Sequence, residues 1–191
     1  ITSSVYFPRM DDKGHVLIQI ATSDPVGEWR DIMQGLLLAI TSAKNYIYIQ
    51  TPYLLPTEVI LVALKTSALS GVDVRIMIPE HSDSRMVHWG TCSYLEELME
   101  AGVRIYMYQK GFLHSKLMVS DDSLASVGST NIDFRSFEHN FEANAFLYDS
   151  ASVLQLKEIF LSDQKDAKLL HLRTWRMRPW YQKVKESVIR L

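Results

Sequence analysis

One short stretch of the chain holds the residue types that can attack and hold a phosphate ester. It contains, in order, His114, Lys116, Asp121, Gly128, Ser129 and Asn131. An imidazole is a nucleophile near neutral pH, and lysine, serine and asparagine side chains donate hydrogen bonds to oxygens where negative charge gathers. The stretch therefore predicts attack on a phosphodiester by His114, with protein donors in place of a metal ion.

The spacing of these residues predicts a β-hairpin. Residues 113–120 are expected to form an extended strand, which would send His114 and Lys116 to the same face. Their Cβ atoms would then lie about 7 Å apart, close enough for both side chains to touch one phosphate. Residues 121–123 favour a turn, residues 124–127 a return strand, and Gly128 a second tight turn. The hairpin would gather the polar side chains at one end of a sheet.

The six residues of this stretch resemble the signature of the phospholipase D superfamily. Further segments resemble bacterial cardiolipin synthases, namely residues 48–53, 100–106, 108–116 and 175–180, together with Arg135-Ser136 and Asn140-Phe141-Glu142. Enzymes of this family carry two such motifs in one chain, whereas this sequence has one. Its motif, the residues around it and the tail are similar to the second, C-terminal half.

The resemblance implies a phosphatidyltransferase that makes cardiolipin from two phosphatidylglycerols through a phosphohistidine intermediate. This chain would supply one of two half-sites, and the N-terminal half of the same enzyme the other. It also implies a location at the bacterial cell membrane, with the active domain on the cytoplasmic side and this fragment itself soluble. Two alternatives stay open: a single-motif homodimeric phosphodiesterase or nuclease, and an inactive isolated half-domain.

Two acidic residues carry separate expectations. In the family, a glutamate at the position of Glu142 holds one ring nitrogen of the histidine, so Glu142 is expected to orient His114; the alternative is a salt bridge to Arg135. Asp121 belongs to the catalytic signature, but it falls in the turn beyond the predicted strand. It is therefore expected to cap backbone groups or to bond Ser129 and Asn131.

Three further residues are predicted to bind substrate: Gly128, His88 and Arg135. His88 lies near the start of a predicted helix, beyond the carboxyl end of a strand, where ligands usually bind in open α/β sheets. The alternative for His88 is a solvated surface side chain. No cofactor is expected, and no metal, because the histidines, cysteine and acidic residues show no ligand spacing.

Composition and charge indicate one α/β domain with a basic tail. The chain has 191 residues, of which 47% are hydrophobic, and no apolar run reaches the roughly 20 residues of a membrane span. Residues 171–191 carry a net charge of +5, so residues 1–170 carry −7 within a total of −2. An acidic body argues against nucleic acid as a partner.

The tail mixes tryptophan and tyrosine with arginine and lysine, as in segments that contact an anionic bilayer. The alternative is a terminal helix that packs its rings on the body and leaves its charges in water.

Strand and helix patterns alternate along the chain without a low-complexity linker. This alternation predicts a mixed, mainly parallel sheet flanked by helices on both faces. The expected organisation is a leader from an inter-domain linker at 1–15, a phospholipase D-like catalytic domain at 16–170 and the basic aromatic tail at 171–191.

Overall fold

A computed structural model describes residues 14–190 of the protein. The strands are β1 (Ile18–Ser23), β2 (Tyr46–Gln50), β3 (Leu54–Leu55), β4 (Asp73–Pro79), β5 (Arg104–Tyr108), β6 (Leu117–Ser120), β7 (Leu124–Gly128), β8 (Ile132–Asp133), β9 (Glu142–Leu147) and β10 (Ala167–Leu169). The helices are α1 (Asp31–Ser42), α2 (Glu58–Leu69), α3 (Arg85–Glu100), α4 (Phe134–Glu138), α5 (Ser150–Gln164), α6 (Leu172–Arg176) and α7 (Trp180–Arg190).

Eight strands form one sheet in the order β1-β9-β7-β6-β2-β4-β5-β10, and β3 pairs with β8 beside it. The mixed α/β class is confirmed, but the expectation of a mainly parallel sheet is wrong. In the described sheet, β2–β4 and β4–β5 are parallel, and the remaining neighbours are antiparallel. The parallel pairs are joined by helical crossovers. In contrast, β6 and β7 form a hairpin, and β1, β9 and β10 each pair antiparallel with their neighbours.

Helices cover both faces of the sheet, as predicted. One core cluster joins α1, α2 and α3 to the sheet, with Ile40, Leu64 and Leu95 fully buried. On the other face α5 packs through Phe160, whose ring stacks on Tyr48 with centroids 4.9 Å apart. Every residue of β2 is buried, so this central strand gives firm support to the segments that contact its two ends.

Two local predictions differ from the structure, namely the strand at 113–120 and a helix that the sequence pattern predicts at 152–170, and most of a third cannot be compared. The strand expected at 113–120 begins at Leu117, so His114 and Lys116 precede it. The helix expected at 152–170 ends at Gln164, and Ala167–Leu169 pairs antiparallel with β5. Most of the expected leader, residues 1–13, lies outside the described residues.

The basic tail folds back onto the body. Both of its helices, α6 and α7, pack against α3. Across residues 14–190, no helix combines the length and the apolar character needed to span a membrane.

Candidate active site

His114 lies in an irregular segment that leads into β6, with its side chain exposed. Its ring contacts Phe112, with the ring centroids 5.3 Å apart. Among the described residues, no side chain or backbone group makes a hydrogen bond with the imidazole. Neither ring nitrogen is therefore engaged by another group in the part of the chain that the structure describes.

Lys116 stands beside the histidine and is half-buried. Its Nζ donates a hydrogen bond to the backbone oxygen of His114 at 2.7 Å. Burial lowers the pKa of the amine, and the negative charges of Glu142 and Asp133 act in the opposite direction. Because an ammonium has three N–H groups, two remain for a bound phosphate.

Gly128 is needed for a close approach between strands. A Cβ at this position would collide with the Asn144 side chain and the Ala143 carbonyl. The Gly128 N–H donates to the carbonyl of Lys116 at 3.3 Å, which ties the end of β7 to the histidine segment. The glycine thus sets the backbone spacing of the site, and direct substrate binding by Gly128 stays a prediction.

Ser129 lines the site and is held from behind by Glu142. The Ser129 hydroxyl donates to one carboxylate oxygen of Glu142 and accepts from the Ala143 N–H at 3.0 Å. The other oxygen of Glu142 accepts from Asn140 Nδ2 at 3.1 Å. Among residues 14–190, neither oxygen accepts a hydrogen bond from His114 or pairs with an arginine, so the structure gives Glu142 a different partner from both expectations.

Asn131 follows two residues after Ser129. Its Nδ2 donates to Ser136 Oγ at 3.2 Å, and its buried Oδ1 has no hydrogen-bond partner. Asp133 accepts from the Ser136 N–H at 2.6 Å and so begins α4; burial raises the pKa of Asp133. The Asn131 amide interacts with both Ser136 and the Asp133 carboxylate and so braces the start of α4.

A shallow pocket of about 520 Å³ joins these elements. Its walls contain, among others, His114, Lys116, Gly128, Ser129, Leu156 and Ile159. We call it the motif pocket. It brings four of the nine sequence-predicted residues together at the surface, while Asn131, Asp121, Glu142, His88 and Arg135 do not line it.

Asp121 lies at the opposite end of β6 from the histidine. Its carboxylate accepts three backbone hydrogen bonds, from Lys44 at 2.7 Å, Asn45 at 2.9 Å and Tyr46 at 2.8 Å. Burial tends to raise its pKa, but the three N–H donors outweigh burial and hold it below the ordinary value. The structure thus gives Asp121 a structural role, joining the β6–β7 turn to the start of β2, and it bonds neither Ser129 nor Asn131.

His88 and Arg135 are placed away from the motif pocket. His88 lines a separate cavity between α3 and the tail helices, with its Nε2 3.6 Å from Cys92 Sγ. Burial is the main cause that lowers the pKa of His88. Arg135 is exposed on α4. Neither residue lines the motif pocket, and substrate binding by either stays a prediction.

The cations of the tail are largely engaged with acidic residues. Arg178 stacks on Trp175, 3.3 Å from the ring centroid, and pairs with Glu186 at 2.6 Å. Arg176 pairs with Glu96 and Glu100 of α3. Less charge is therefore free for an anionic surface than the sequence suggested, whereas Trp180 is 75% exposed.

Comparison with known proteins identifies the family of this chain. Residues 36–164 match the sequence family described as "Cardiolipin synthase, PLD-like domain". This chain belongs to that family. A cardiolipin synthase of Listeria welshimeri serovar 6b is 45% identical over 186 residues, which are 97% of this chain and 39% of that protein. Cardiolipin synthase 2 of Staphylococcus epidermidis is 46% identical over 188 residues, 98% of this chain and 38% of that protein.

The chain thus spans about two fifths of the length of these curated relatives. Solved structures share its fold. Nuc of Salmonella typhimurium, a phospholipase D family member, has a TM-score of 0.68 at 21% identity and covers 82% of this chain and 99% of its own. Phosphatidylserine synthase of Haemophilus influenzae has a TM-score of 0.71 at 15% identity and covers 87% of this chain and 43% of its own. At these identities the likeness establishes the fold.

Sequence reasoning missed three residues of this PLD-like domain that support its motif. Gln50 contacts Ser115, Thr51 accepts from the Ile132 N–H at 3.2 Å, and Asp163 contacts Gln50. The sequence did contain a signal for Gln50, because it is the polar residue that ends the otherwise apolar or aromatic strand β2. Asp163 gave no signal, because its partner lies 113 residues away.

Proposed function

We propose that the chain carries one of the two half-sites of a phosphatidyltransferase that forms cardiolipin from two phosphatidylglycerols. The observation that carries the proposal is the pairing in one pocket of an unengaged imidazole, His114, with a half-buried ammonium, Lys116. A nucleophile needs a free nitrogen, and a phosphate needs a nearby cation with donors to spare. Both requirements are met without rearranging the described side chains.

In the first step of this reaction, a ring nitrogen of His114 forms a bond to phosphorus, and the bond from phosphorus to the leaving glycerol oxygen breaks. The second half-site supplies an imidazolium that gives its proton to that oxygen. Lys116 stabilises the charge on the phosphoryl oxygens. Ser129 is already bound to Glu142, so we assign it a supporting part, holding the pocket wall in place.

In the second step, the second histidine takes the proton of the acceptor hydroxyl. The acceptor oxygen bonds to phosphorus, and the bond to His114 breaks. A lipid hydroxyl gives a new phosphodiester, and water gives hydrolysis.

The experiment is to trap the covalent intermediate. The complete enzyme is incubated with phosphatidylglycerol labelled in the phosphate, quenched in base and mapped by mass spectrometry. We expect an acid-labile phosphoryl group on His114 and none in His114→Ala. Label on a histidine of the other half-site would reverse the two roles, and label on neither would overturn the double displacement.

Apolar surface at the motif pocket supports the proposed half-site pairing. Val127 and Ile159 line the pocket and are 38% and 51% exposed, and Phe112 next to the histidine is 43% exposed. Burying such surface against a similar half would stabilise a pair. The partner is the N-terminal half of the enzyme or, for the isolated chain, a second copy related by a two-fold axis.

Sedimentation of the isolated chain tests this surface. We expect a concentration-dependent dimer that Ile159→Asp weakens, whereas Leu69→Asp on the distant helix α2 leaves it unchanged. A monomer at all concentrations, or equal sensitivity to both substitutions, would contradict pairing through the pocket mouth.

We also propose that the outer face of the tail touches an anionic membrane surface. Trp180, Tyr181 and Val184 are exposed along α7, and Arg173 is exposed on α6. Aromatic rings with neighbouring cations favour the headgroup region of a bilayer. This surface would place the domain at the membrane that contains its phospholipid substrate.

A further inference from the structure

We infer that Gln50 and Asp163 are positioning residues that hold the histidine–lysine segment in its reactive geometry through Ser115. The inference rests on the proposed function, because it concerns the same pocket. None of these three residues belongs to the motif signature. Together they form a hydrogen-bonded chain that runs from helix α5, through the end of β2, to the residue between His114 and Lys116.

The contacts are direct and short. Gln50 is 2% exposed. Its Nε2 donates to Asp163 Oδ2 at 2.8 Å, and its Oε1 accepts from Ser115 Oγ at 2.8 Å. Both ends of the buried Gln50 amide therefore have hydrogen-bond partners. Loss of either bond would leave a buried polar group unpaired.

The donors and acceptors in this hydrogen-bonded chain can be arranged in only one order. A carboxylate accepts and does not donate, so Asp163 forces the NH₂ end of Gln50 toward α5. The oxygen of the amide must then face Ser115, and the serine hydroxyl must be the donor. Asp163 thus determines, from helix α5, which way the serine points.

Ser115 is well placed to control the geometry of the histidine–lysine segment. It separates His114 from Lys116, and this segment precedes β6, so no sheet pairing begins before Leu117. The segment is otherwise held by the bond of Lys116 Nζ to the His114 carbonyl and by the Gly128 N–H on the Lys116 carbonyl. The bond from Ser115 to rigid β2 fixes its remaining freedom, and a displacement of about 1 Å at a reacting group can cost on the order of a hundredfold in rate.

The test is a donor–acceptor exchange in the complete enzyme, with kcat and KM measured separately. Gln50→Glu puts a carboxylate against Asp163 and removes the donor. We expect kcat to fall at least about tenfold while KM changes by less than about threefold, because the pocket remains but its nucleophile is misplaced. Adding Asp163→Asn should restore most of kcat, because Asn can donate to the new carboxylate, which still accepts from Ser115.

Matched variants separate positioning from folding. Asp163→Asn alone keeps an acceptor for Gln50 and should be close to wild type, whereas Asp163→Leu should resemble Gln50→Glu. Ser115→Ala, at an exposed position, should lower kcat without lowering the melting temperature, so it decides the matter if a buried variant fails to fold. Gln109→Met, at an exposed glutamine outside the pocket, is the control.

The outcomes distinguish this inference from the proposed function. Wild-type kcat in both Ser115→Ala and Gln50→Glu, with His114→Ala inactive, would overturn the positioning role and leave the reaction intact. A double variant no better than Gln50→Glu would also overturn it. Activity in His114→Ala would remove the proposed nucleophile and the positioning role with it.

Discussion

The hydroxyl of Ser129 donates its hydrogen bond to the carboxylate of Glu142. Because a hydroxyl has one hydrogen, this bond leaves Ser129 no donor for a phosphate in the same arrangement. Lys116 is engaged at one N–H by the His114 carbonyl and keeps two. In the proposed reaction, the charge of a bound phosphate therefore falls mainly to Lys116, and the bond between Ser129 and Glu142 supports the pocket.

The first prediction follows from this division. His114→Ala should abolish turnover of the complete enzyme, and Lys116→Ala should lower kcat by roughly 10²–10³, as for loss of one donor to developing charge in other active sites. Lys110→Ala, at a lysine that is 67% exposed and paired with Asp166, is the control and should leave kcat unchanged. Turnover of His114→Ala within about tenfold of wild type would exclude this site.

The second prediction concerns metal ions. In the proposed reaction, Lys116 supplies the positive charge that a metal would otherwise provide. The described residues also contain no cluster of three or more histidine, cysteine or acidic side chains arranged for a metal. Steady-state turnover should therefore persist in excess EDTA. Complete loss that added metal restores would show that a required ion had been overlooked.

The third prediction concerns stability at the β6–β7 turn. Asp121→Asn removes one of two acceptor oxygens that receive backbone N–H groups, and Asn tolerates the left-handed conformation of Asp121, whose φ is 50°. The substitution should lower the free energy of unfolding by about 1–3 kcal/mol while kcat per folded molecule stays near wild type. Urea titration measures the change, and Ser123→Ala in the same turn is the control.

The pH dependence of this effect has a definite sign. The folded-state pKa of Asp121 lies below its ordinary value of 3.8. Its contribution is therefore fully present above the unfolded pKa and is lost as the pH falls through the folded pKa. The stability difference between wild type and Asp121→Asn should be constant near neutral pH and shrink below about pH 4. A difference that grows on acidification would contradict the assigned contacts.

The fourth prediction separates the packing role of the tail from its proposed membrane role. Trp175 packs on the main core cluster, so Trp175→Ala should lower the melting temperature by several degrees, for a loss of about 2 kcal/mol. Trp180→Ala, at an exposed ring, should leave the melting temperature unchanged and weaken binding to phosphatidylglycerol vesicles. Equal vesicle binding by wild type and Trp180→Ala would remove the membrane role from this face.

The sequence alone predicted the elements that depend on neighbours along the chain. The types and spacing of His114 and Lys116 indicated the chemistry, and the turn at Asp121 and the return strand were located to within a residue or two. Periodicity likewise found most helices and strands. These features follow from local backbone preferences and side-chain patterns, which act over a few residues.

Tertiary structure decided which distant groups meet. Glu142 was expected to hold His114 but holds Ser129, His88 lies under the tail, and the tail packs on α3. The sheet is mainly antiparallel because β6 and β7 form a hairpin beside β2, and because β9, β1 and β10 then pair antiparallel with their neighbours. A residue's type states what bonds it can make, but its partner depends on which surfaces are brought together when the whole core is buried. The chain from Asp163 through Gln50 to Ser115 spans 113 residues in its first link, and no local pattern encodes a contact over that separation.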